Sequence, residues 1–163
     1  MKEIPLTQGY VALVDDEDFE RVNAHKWCVQ IDRSNSRPRI YAMGRIQRGG
    51  KAMQMHRFVL GHDGPVDHRD HDGLNNQRFN LRPTTKSQNA MNSRKAPGKS
   101  SRYKGVSWDA ARGKWFACIR QNYKTRPLGR YREECDAAQA YNLAAEMMFG
   151  EFAHFNYPLE ANA

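Results

Sequence analysis

The first half of the chain contains short apolar runs typical of β-strands, separated by polar segments. Residues 10–14 predict a buried strand, and the ranges 38–43 and 52–60 predict two more. The acidic run 15–18 marks a turn or the start of a helix. This half is therefore expected to be rich in strands.

The second half first alternates apolar and polar positions and then changes to helical spacing. Three runs, 105–108, 114–120 and 126–129, are separated by turn-forming residues and predict three short strands. Apolar residues then recur every three or four positions over 133–149, which predicts one helix, and Gly150 is suited to end it. The pattern as a whole indicates an α+β fold.

A change in composition divides the chain. Residues 93–102 contain Pro97, Gly98, three serines and four cations, with no apolar residue larger than alanine. This composition predicts a solvated basic linker between a domain over 1–92 and a second over 103–158. A surface loop is the alternative, and a linker of this charge can also lie along DNA phosphates.

The charge balance favours a polyanionic partner. Lysine and arginine number 26 against 18 acidic residues, which gives a formal net charge of +8. Each phosphate that a cation neutralises releases condensed counterions, so such an excess promotes binding to nucleic acid. Ribosomal proteins and membrane-surface proteins share this property with nucleases, so charge alone does not decide among them.

The cysteines and the apolar runs bear on compartment. Cys28, Cys118 and Cys135 are far apart, with no closely spaced pair for a zinc knuckle, and an odd number suits a reducing compartment. The N-terminus lacks an apolar signal core, and no apolar run approaches the length of a membrane span. We expect a soluble cytoplasmic protein, of a bacterial or phage-infected cell, without a membrane partner.

The segment 66–89 carries the candidate chemistry. Asp67 and His68 are neighbours in a predicted strand, so their side chains diverge, and a neutral imidazole can accept a proton from water near pH 7. Asn80 follows His68 by twelve residues, and Asn89 lies in a short helix expected after Thr84 and Thr85. An amide oxygen from Asn89 and the Asp67 carboxylate together suit one Mg²⁺ ion, a cation that neutralises charge in phosphodiester hydrolysis.

These residues resemble the HNH family, in the form of the phage and intron-encoded homing endonucleases with their ββα-metal fold. The resemblance covers roughly residues 1–92. It is carried by Asp67-His68, Asn80-Leu81-Arg82, Asn89 and an upstream Met55-His56-Arg57.

The resemblance implies a role for each residue. His68 is the general base, Asp67 and Asn89 hold a single divalent metal ion, and Asn80 fixes the loop that orients His68. Mg²⁺ is the expected ion, with Mn²⁺ as the alternative, since Asn89 stands where many relatives have histidine and thus favours oxygen coordination over zinc. His56 either lines the cleft, contacts phosphate or simply packs.

Residues 103–158 resemble the DNA-binding domain of plant ethylene-response factors of the Apetala type. The family fold is a three-stranded antiparallel sheet packed on one helix. The matching motifs are Tyr103-Lys104-Gly105-Val106, the run 113–120, Leu128-Gly129, the run 137–142 and Phe155-Asn156-Tyr157-Pro158.

Strand alternation separates an apolar face from a basic one in this domain. Trp115, Ala117 and Ile119 share one side of their strand, and the helix carries acidic residues on its outer surface, so the sheet rather than the helix is expected to meet the major groove. The predicted DNA-contacting cations of the whole chain are Arg57, Lys104, Arg112, Lys114, Arg120, Lys124 and Arg126.

The DNA target cannot be carried over from the plant proteins. Ser107 and Asp109 stand where those proteins often have arginine, Cys118 replaces a frequent glutamate, and Pro127 a frequent tryptophan. The preferred sequence of this domain is therefore not inherited with the resemblance.

The sequence as a whole favours a metal-dependent endonuclease that hydrolyses double-stranded DNA, site-specific and of the homing or nicking kind. It is expected to act as a monomer or a transient dimer. The main alternative is a DNA-binding transcription regulator with an inactive nuclease module. A nuclease that is non-specific or RNA-directed and a structural DNA-binding protein are further alternatives.

Overall fold

A computed structural model describes residues 1–34 and 37–157. The chain divides into two compact units, Met1–Thr85 and Lys86–Ala163. The segment 86–92, assigned from sequence to the nuclease domain, and the segment 93–102 both group with the second unit. Pro158, which closes the last plant-like motif, lies outside the described residues.

The first unit consists of small antiparallel sheets and two helices. The elements in chain order are β1 (Lys2–Pro5), β2 (Val11–Val14), α1 (Asp16–Asn23), β3 (Trp27–Asp32), β4 (Arg39–Gly44), β5 (Met53–Gln54), α2 (Met55–Leu60), β6 (Val66–His68) and β7 (Leu81–Pro83). Strand β1 pairs with β2, β4 lies between β3 and β5, and β6 pairs with β7.

One apolar core joins these small sheets. Val14 from β2, Val22 from α1 and Val59 from α2 are at most 1% exposed within it. Leu81, which pairs with His68 across the β6–β7 hairpin, also packs in this core. The hairpin that carries the candidate chemistry is therefore fixed to the main core of its unit.

The strand predicted over 52–60 is wrong for most of its length. Only Met53–Gln54 forms a strand, and Met55–Leu60 is helix α2. Met55, His56 and Val59 are the buried residues of the helix, at the spacing of one helical face. A short apolar run fits a strand and a buried helical turn equally well, so only the packing decides between them.

The second unit is a three-stranded antiparallel sheet with a long helix on one face. Its elements are α3 (Lys86–Asn92), β8 (Val106–Asp109), β9 (Lys114–Gln121), β10 (Lys124–Tyr131) and α4 (Glu134–Phe149). The three strands that the alternating pattern predicted are present, and they lie in the order β10-β9-β8.

Helix α4 packs its alanine-rich face on the sheet. Ala137 and Ala138 pack with Ala117, and Tyr141 packs with Ile119. Small side chains let the helix lie close to the strands, as at Gly105, where an added Cβ would overlap the ring of Tyr141. Alanine at position 105 is therefore sterically excluded without a shift of the helix.

Two asparagines fasten the end of the chain to this unit. Asn142 is fully buried, donates to the carbonyl of Tyr157 at 3.0 Å and accepts from the Asn156 amide at 2.8 Å. The side chain of Asn156 in turn accepts from the Lys104 amide and donates to the Lys104 carbonyl. These bonds explain why the motifs near 104, 142 and 156 occur together.

The segment predicted as a linker makes specific bonds within the second unit. Ser101 is 4% exposed and accepts from the Tyr103 amide, and Ser100 accepts from the Trp108 amide. The Lys95 ammonium donates to the carbonyl of Val106 at 2.6 Å. These bonds hold much of the segment 93–102 against β8.

The α+β class is confirmed, with several small antiparallel sheets and four α-helices among the described residues. The ββα-metal arrangement of the first unit stays a prediction. In the described part of the chain, no helix combines the length and apolar character needed to cross a bilayer.

Candidate functional site

The β6–β7 hairpin carries a buried carboxylate and a buried imidazole at consecutive positions of β6. Asp67 and His68 are 5% and 6% exposed. Asp67 pairs across the hairpin with Arg82, whose Nε and Nη2 lie 2.9 and 2.7 Å from the same carboxylate oxygen, Oδ2. Two bonds from one guanidinium fix the orientation of the carboxylate.

Asn80 closes the loop that follows His68. Its Nδ2 donates to Asp70 Oδ1 at 2.9 Å and to the carbonyl of Asn75 at 2.8 Å, while its Oδ1 accepts from the Asp70 amide. The backbone adds a bond from the Arg69 amide to the Asn80 carbonyl. Asn80 is 1% exposed, so these bonds are shielded from water, and they suit the loop-fixing role expected for it.

The same loop is anchored to the start of the chain. Strand β2 exchanges backbone bonds with it through Leu13, which accepts from Asn76 and donates to Leu74. Asp15 accepts from the Arg78 amide at 2.7 Å and from the Gln77 side chain at 3.1 Å. The acidic run that the sequence marked as a turn therefore holds the candidate site in place.

A second acidic residue of that run ties the loop to helix α2. Asp18 is 2% exposed and binds both Arg78 and Arg21, and the two arginines also donate to the carbonyl of Val59. Burial raises the pKa of Asp18, but hydrogen bonds from Arg78 and Arg21 outweigh it and lower the pKa overall. Sequence reasoning missed this cluster because Arg78 lies 60 residues from Asp18 along the chain.

His56 and Tyr41 enclose the imidazole of His68. The ring centroids of His56 and His68 are 5.0 Å apart at an interplanar angle of 83°, and Tyr41 lies 5.8 Å from the first and 6.1 Å from the second. The loop that follows His68 packs against β4 at Gly73, where an added Cβ would overlap the Ile40 carbonyl and the Tyr41 ring. The sequence left the role of His56 open among three alternatives. In the structure His56 is the nearest aromatic neighbour described for His68.

Burial favours the neutral form of both imidazoles. It lowers the pKa of His56 to about 3, helped by the nearby His68 and Arg57. Burial also lowers the pKa of His68, although the side chain of Asn76 and the carboxylates of Asp70 and Asp67 oppose it. A neutral His68 has the protonation state that a general base requires near pH 7.

The chain was compared with known proteins. It is 34% identical over 154 residues to a protein of Acanthamoeba polyphaga mimivirus that is named an uncharacterized HNH endonuclease, and the alignment covers 90% of this chain and 74% of that one. This chain belongs to the HNH endonuclease family. The alignment includes residues of both units of the chain, and the family indicates nuclease function. No family model matches the chain, and no solved structure matches it significantly.

Asp67 offers a buried carboxylate, which is a donor that suits a hard divalent ion. Asn89, the other predicted ligand, lies on α3, which groups with the second unit. Within residues 1–34 and 37–157, no three His, Cys, Asp or Glu side chains form a metal-binding group. Mg²⁺ commonly takes one or two protein oxygens and keeps several waters, so an oxygen donor such as the Asp67 carboxylate suits it better than it suits zinc. The pairing of Asp67 with Asn89 stays a prediction.

The predicted DNA-contacting cations of the second unit fall into different environments. Lys114 and Arg120 are exposed on β9, and strand alternation places them on the face away from α4. Arg112 is exposed in the preceding turn and pairs with Asp109 at 3.3 Å. These three cations lie on or beside the open face of the sheet, where the sequence expected them.

The register of β10 changes the expected composition of that open face. Arg126 pairs with Ile119 and Lys124 with Gln121, so alternation turns both toward the helix side, although both are exposed. Arg130 pairs with Phe116 and lies over its ring at 5.0 Å, which places Arg130 on the open face. A bulge between Pro127 and Gly129 shifts the register, and no sequence signal indicates where such a shift falls.

Lys104 and Arg57 are partly buried. The Lys104 ammonium donates to the carbonyls of Ala90 and Met91 at the end of α3, and burial lowers its pKa to about 8. Its bonds hold α3 to the second unit, and its DNA contact stays a prediction. Arg57 is half-buried, and its Nε finds no hydrogen-bond partner among the described residues. That nitrogen is itself buried, and the DNA contact of Arg57 stays a prediction.

Proposed function

We propose that this protein is a metal-dependent endonuclease that hydrolyses phosphodiester bonds in double-stranded DNA. The observation that carries the proposal is the buried Asp67–His68 pair, followed by a loop that Asn80 closes with three side-chain bonds. Membership of the HNH family supplies independent support. A basic second unit that binds the same DNA would allow an extended site to be recognised, as homing or nicking enzymes require.

His68 acts as the general base in the proposed reaction. It removes a proton from a water molecule as the oxygen of that water attacks the phosphorus, and the bond to the leaving 3′-oxygen breaks. The surrounding Tyr41 and His56 rings restrict the orientation of the imidazole. Asn80 holds the loop that follows His68, so the imidazole keeps its position before substrate binds.

Asp67 and Asn89 would hold one divalent ion, with Mg²⁺ expected and Mn²⁺ as the alternative. Such an ion supplies charge neutralisation at the phosphate and at the leaving oxygen. Arg82 donates two hydrogen bonds to Oδ2 of Asp67 and so orients the carboxylate that would bind the ion. Arg57, which follows His56 on α2, is the proposed phosphate contact of this unit.

Cleavage of supercoiled DNA tests the proposal directly. The purified full chain is incubated with plasmid DNA, with Mg²⁺, with Mn²⁺ and with a chelator, and nicked and linear products are separated. Metal-dependent nicking is the expected result. DNA binding without cleavage at any of the conditions would instead favour a regulator with an inactive nuclease module.

Replacement of His56 by alanine is expected to slow cleavage by about ten- to a hundredfold without weakening DNA binding. The substitution would leave a cavity beside His68 that lets the imidazole move away from its productive orientation. Misplacement of a catalytic group by about 1 Å can slow a reaction about a hundredfold. His56→Phe should recover much of the rate, since a phenyl ring can preserve the edge-to-face packing. Single-turnover cleavage and binding are measured in parallel.

The matched control for His56 is Val59→Ala, which empties a buried position on the same helix but faces the apolar core. It should lower the melting temperature as much as His56→Ala while leaving the cleavage rate near that of wild type. A full cleavage rate for His56→Ala would exclude the positioning role.

The proposed DNA-binding surface is the open face of the β8–β9–β10 sheet, which is the face turned away from α4. Arg120→Ala is expected to weaken binding of the full chain to duplex DNA by about tenfold, because it removes one phosphate or base contact. Titration of the metal should be unaffected. Glu146→Ala, an exposed change on helix α4, is the control and should leave affinity unchanged. Equal affinity of Arg120→Ala and wild type would remove Arg120 from the surface.

A further inference from the structure

The turn between β9 and β10 exposes an aromatic ring in a backbone conformation that disfavours it. Gln121 pairs with Lys124, so Asn122 and Tyr123 form a two-residue turn. Both have positive φ angles, 49° and 62°. Turns of this type favour Asn followed by Gly, because a side chain at the second position is strained. Tyrosine stands where glycine is preferred.

The Tyr123 ring contributes nothing visible to the fold of its unit. The residue is 94% exposed, the highest value among the exposed large hydrophobic side chains described. The apolar clusters of the second unit contain Tyr103, Tyr131 and Tyr157 but not Tyr123. A strained and exposed aromatic residue therefore calls for a role outside the folded chain.

Cations surround the turn on both strands. Arg120, Lys124 and Arg126 are exposed, lie within three residues of Tyr123, and make no ion pair in the part of the chain that the structure describes. No acidic residue occurs between Lys114 and Tyr131. An aromatic ring among cations is the combination with which proteins hold the bases and backbone of nucleic acids.

We propose that this turn is a second DNA contact, distinct from the open face of the sheet. The ring of Tyr123 stacks on a nucleobase or wedges at a base step, while Lys124 and Arg126 hold the neighbouring phosphates. This assignment also accounts for the two cations that the register turns away from the open face. It rests on the proposed binding of DNA by the second unit.

Tyr123→Gly is the decisive variant, because glycine relieves the backbone strain while removing the ring. Binding of the full chain to a fluorescein-labelled duplex oligonucleotide is measured by anisotropy over a range of salt concentrations. We expect Tyr123→Gly to raise Kd by about tenfold at every salt concentration, since stacking is not a counterion effect. Its melting temperature should equal or exceed that of wild type, which excludes misfolding as the cause. Tyr123→Trp should preserve affinity.

The cations are tested through the salt dependence. Lys124→Gln should reduce the slope of log Kd against log salt by about 0.9, whereas Tyr123→Gly should leave the slope unchanged. Met147→Ala, which truncates another highly exposed apolar side chain, is the control and should not change Kd.

The outcomes separate this contact from the broader proposal. If wild type binds and Tyr123→Gly binds equally well, the turn is not a DNA contact, while binding by the second unit stands. A change in self-association by Tyr123→Gly without a change in Kd would also overturn the contact and assign the ring to a second copy of the chain. Failure of wild type to bind duplex DNA would overturn both.

Discussion

Replacing His68 with alanine is expected to lower the rate of DNA cleavage by at least about a hundredfold, the usual contribution of a positioned general base. The imidazole is buried, burial lowers its pKa, and the rings of Tyr41 and His56 pack against it, so it is neutral and held in one place. The measurement is single-turnover nicking of supercoiled DNA with Mg²⁺ at saturating protein.

Two further variants distinguish a loss of catalysis from a loss of folded structure. His68→Gln retains a polar side chain of similar reach and should be as inactive as alanine, while thermal unfolding and DNA affinity stay close to wild type. His62→Ala, a histidine outside the site, is the matched control and should cleave normally. Cleavage by His68→Ala at the wild-type rate would remove His68 from the role of base and leave the assigned mechanism without its central group.

The local sequence predicted more of the site than of its surroundings. Asp67, His68 and Asn80 lie within fourteen residues, on one hairpin and its loop, so spacing alone indicates that they are close. The wall around His68 is different, since Tyr41 and His56 come from separate elements. Their approach depends on how β4 and α2 pack, and tertiary packing of this kind leaves no periodic signal.

Helix α2 and the acidic run show the same limit. Residues 55–60 have apolar character but are too short for periodicity to distinguish a helix from a strand. Asp15 and Asp18 appear in sequence as an ordinary polar turn, yet their carboxylates bind Arg78 and Gln77 some sixty positions away. Charge patterns indicate where polar groups lie along the chain but not which long-range partner they find.

In the second unit, alternation predicted the sheet and its apolar face correctly, but not the exact composition of the basic face. Trp115 and Ile119 face the helix side as expected, because alternation within β9 is uninterrupted. In β10 the bulge after Pro127 moves Arg130, which the sequence did not single out, onto the open face. A single irregularity reverses the face of every later residue.

Arg82→Met is expected to destabilise the protein by about 3 kcal/mol or more, because it leaves the Asp67 carboxylate buried without its partner. Both side chains of the pair are about as buried as the core, at 7% and 6% exposure, and the Nη2–Oδ2 distance is 2.7 Å. In chemical denaturation, the unfolding transition of the first unit should shift clearly to lower denaturant concentration in the variant than in wild type. Lys51→Met removes an exposed cation from the same unit and should leave that transition unchanged.

The double variant Asp67→Leu/Arg82→Met separates the two roles of this ion pair. Removing both charges replaces an expensive buried pair with apolar groups, so stability should return toward the wild-type value. Cleavage should not return, because the proposed metal-holding carboxylate is gone. A double variant that is both stable and fully active would show that Asp67 serves only the fold, and the oxygen site would then have to be sought elsewhere in the unit. A single variant as stable as wild type would mean that water reaches the pair and that the hairpin is less tightly closed than its geometry indicates.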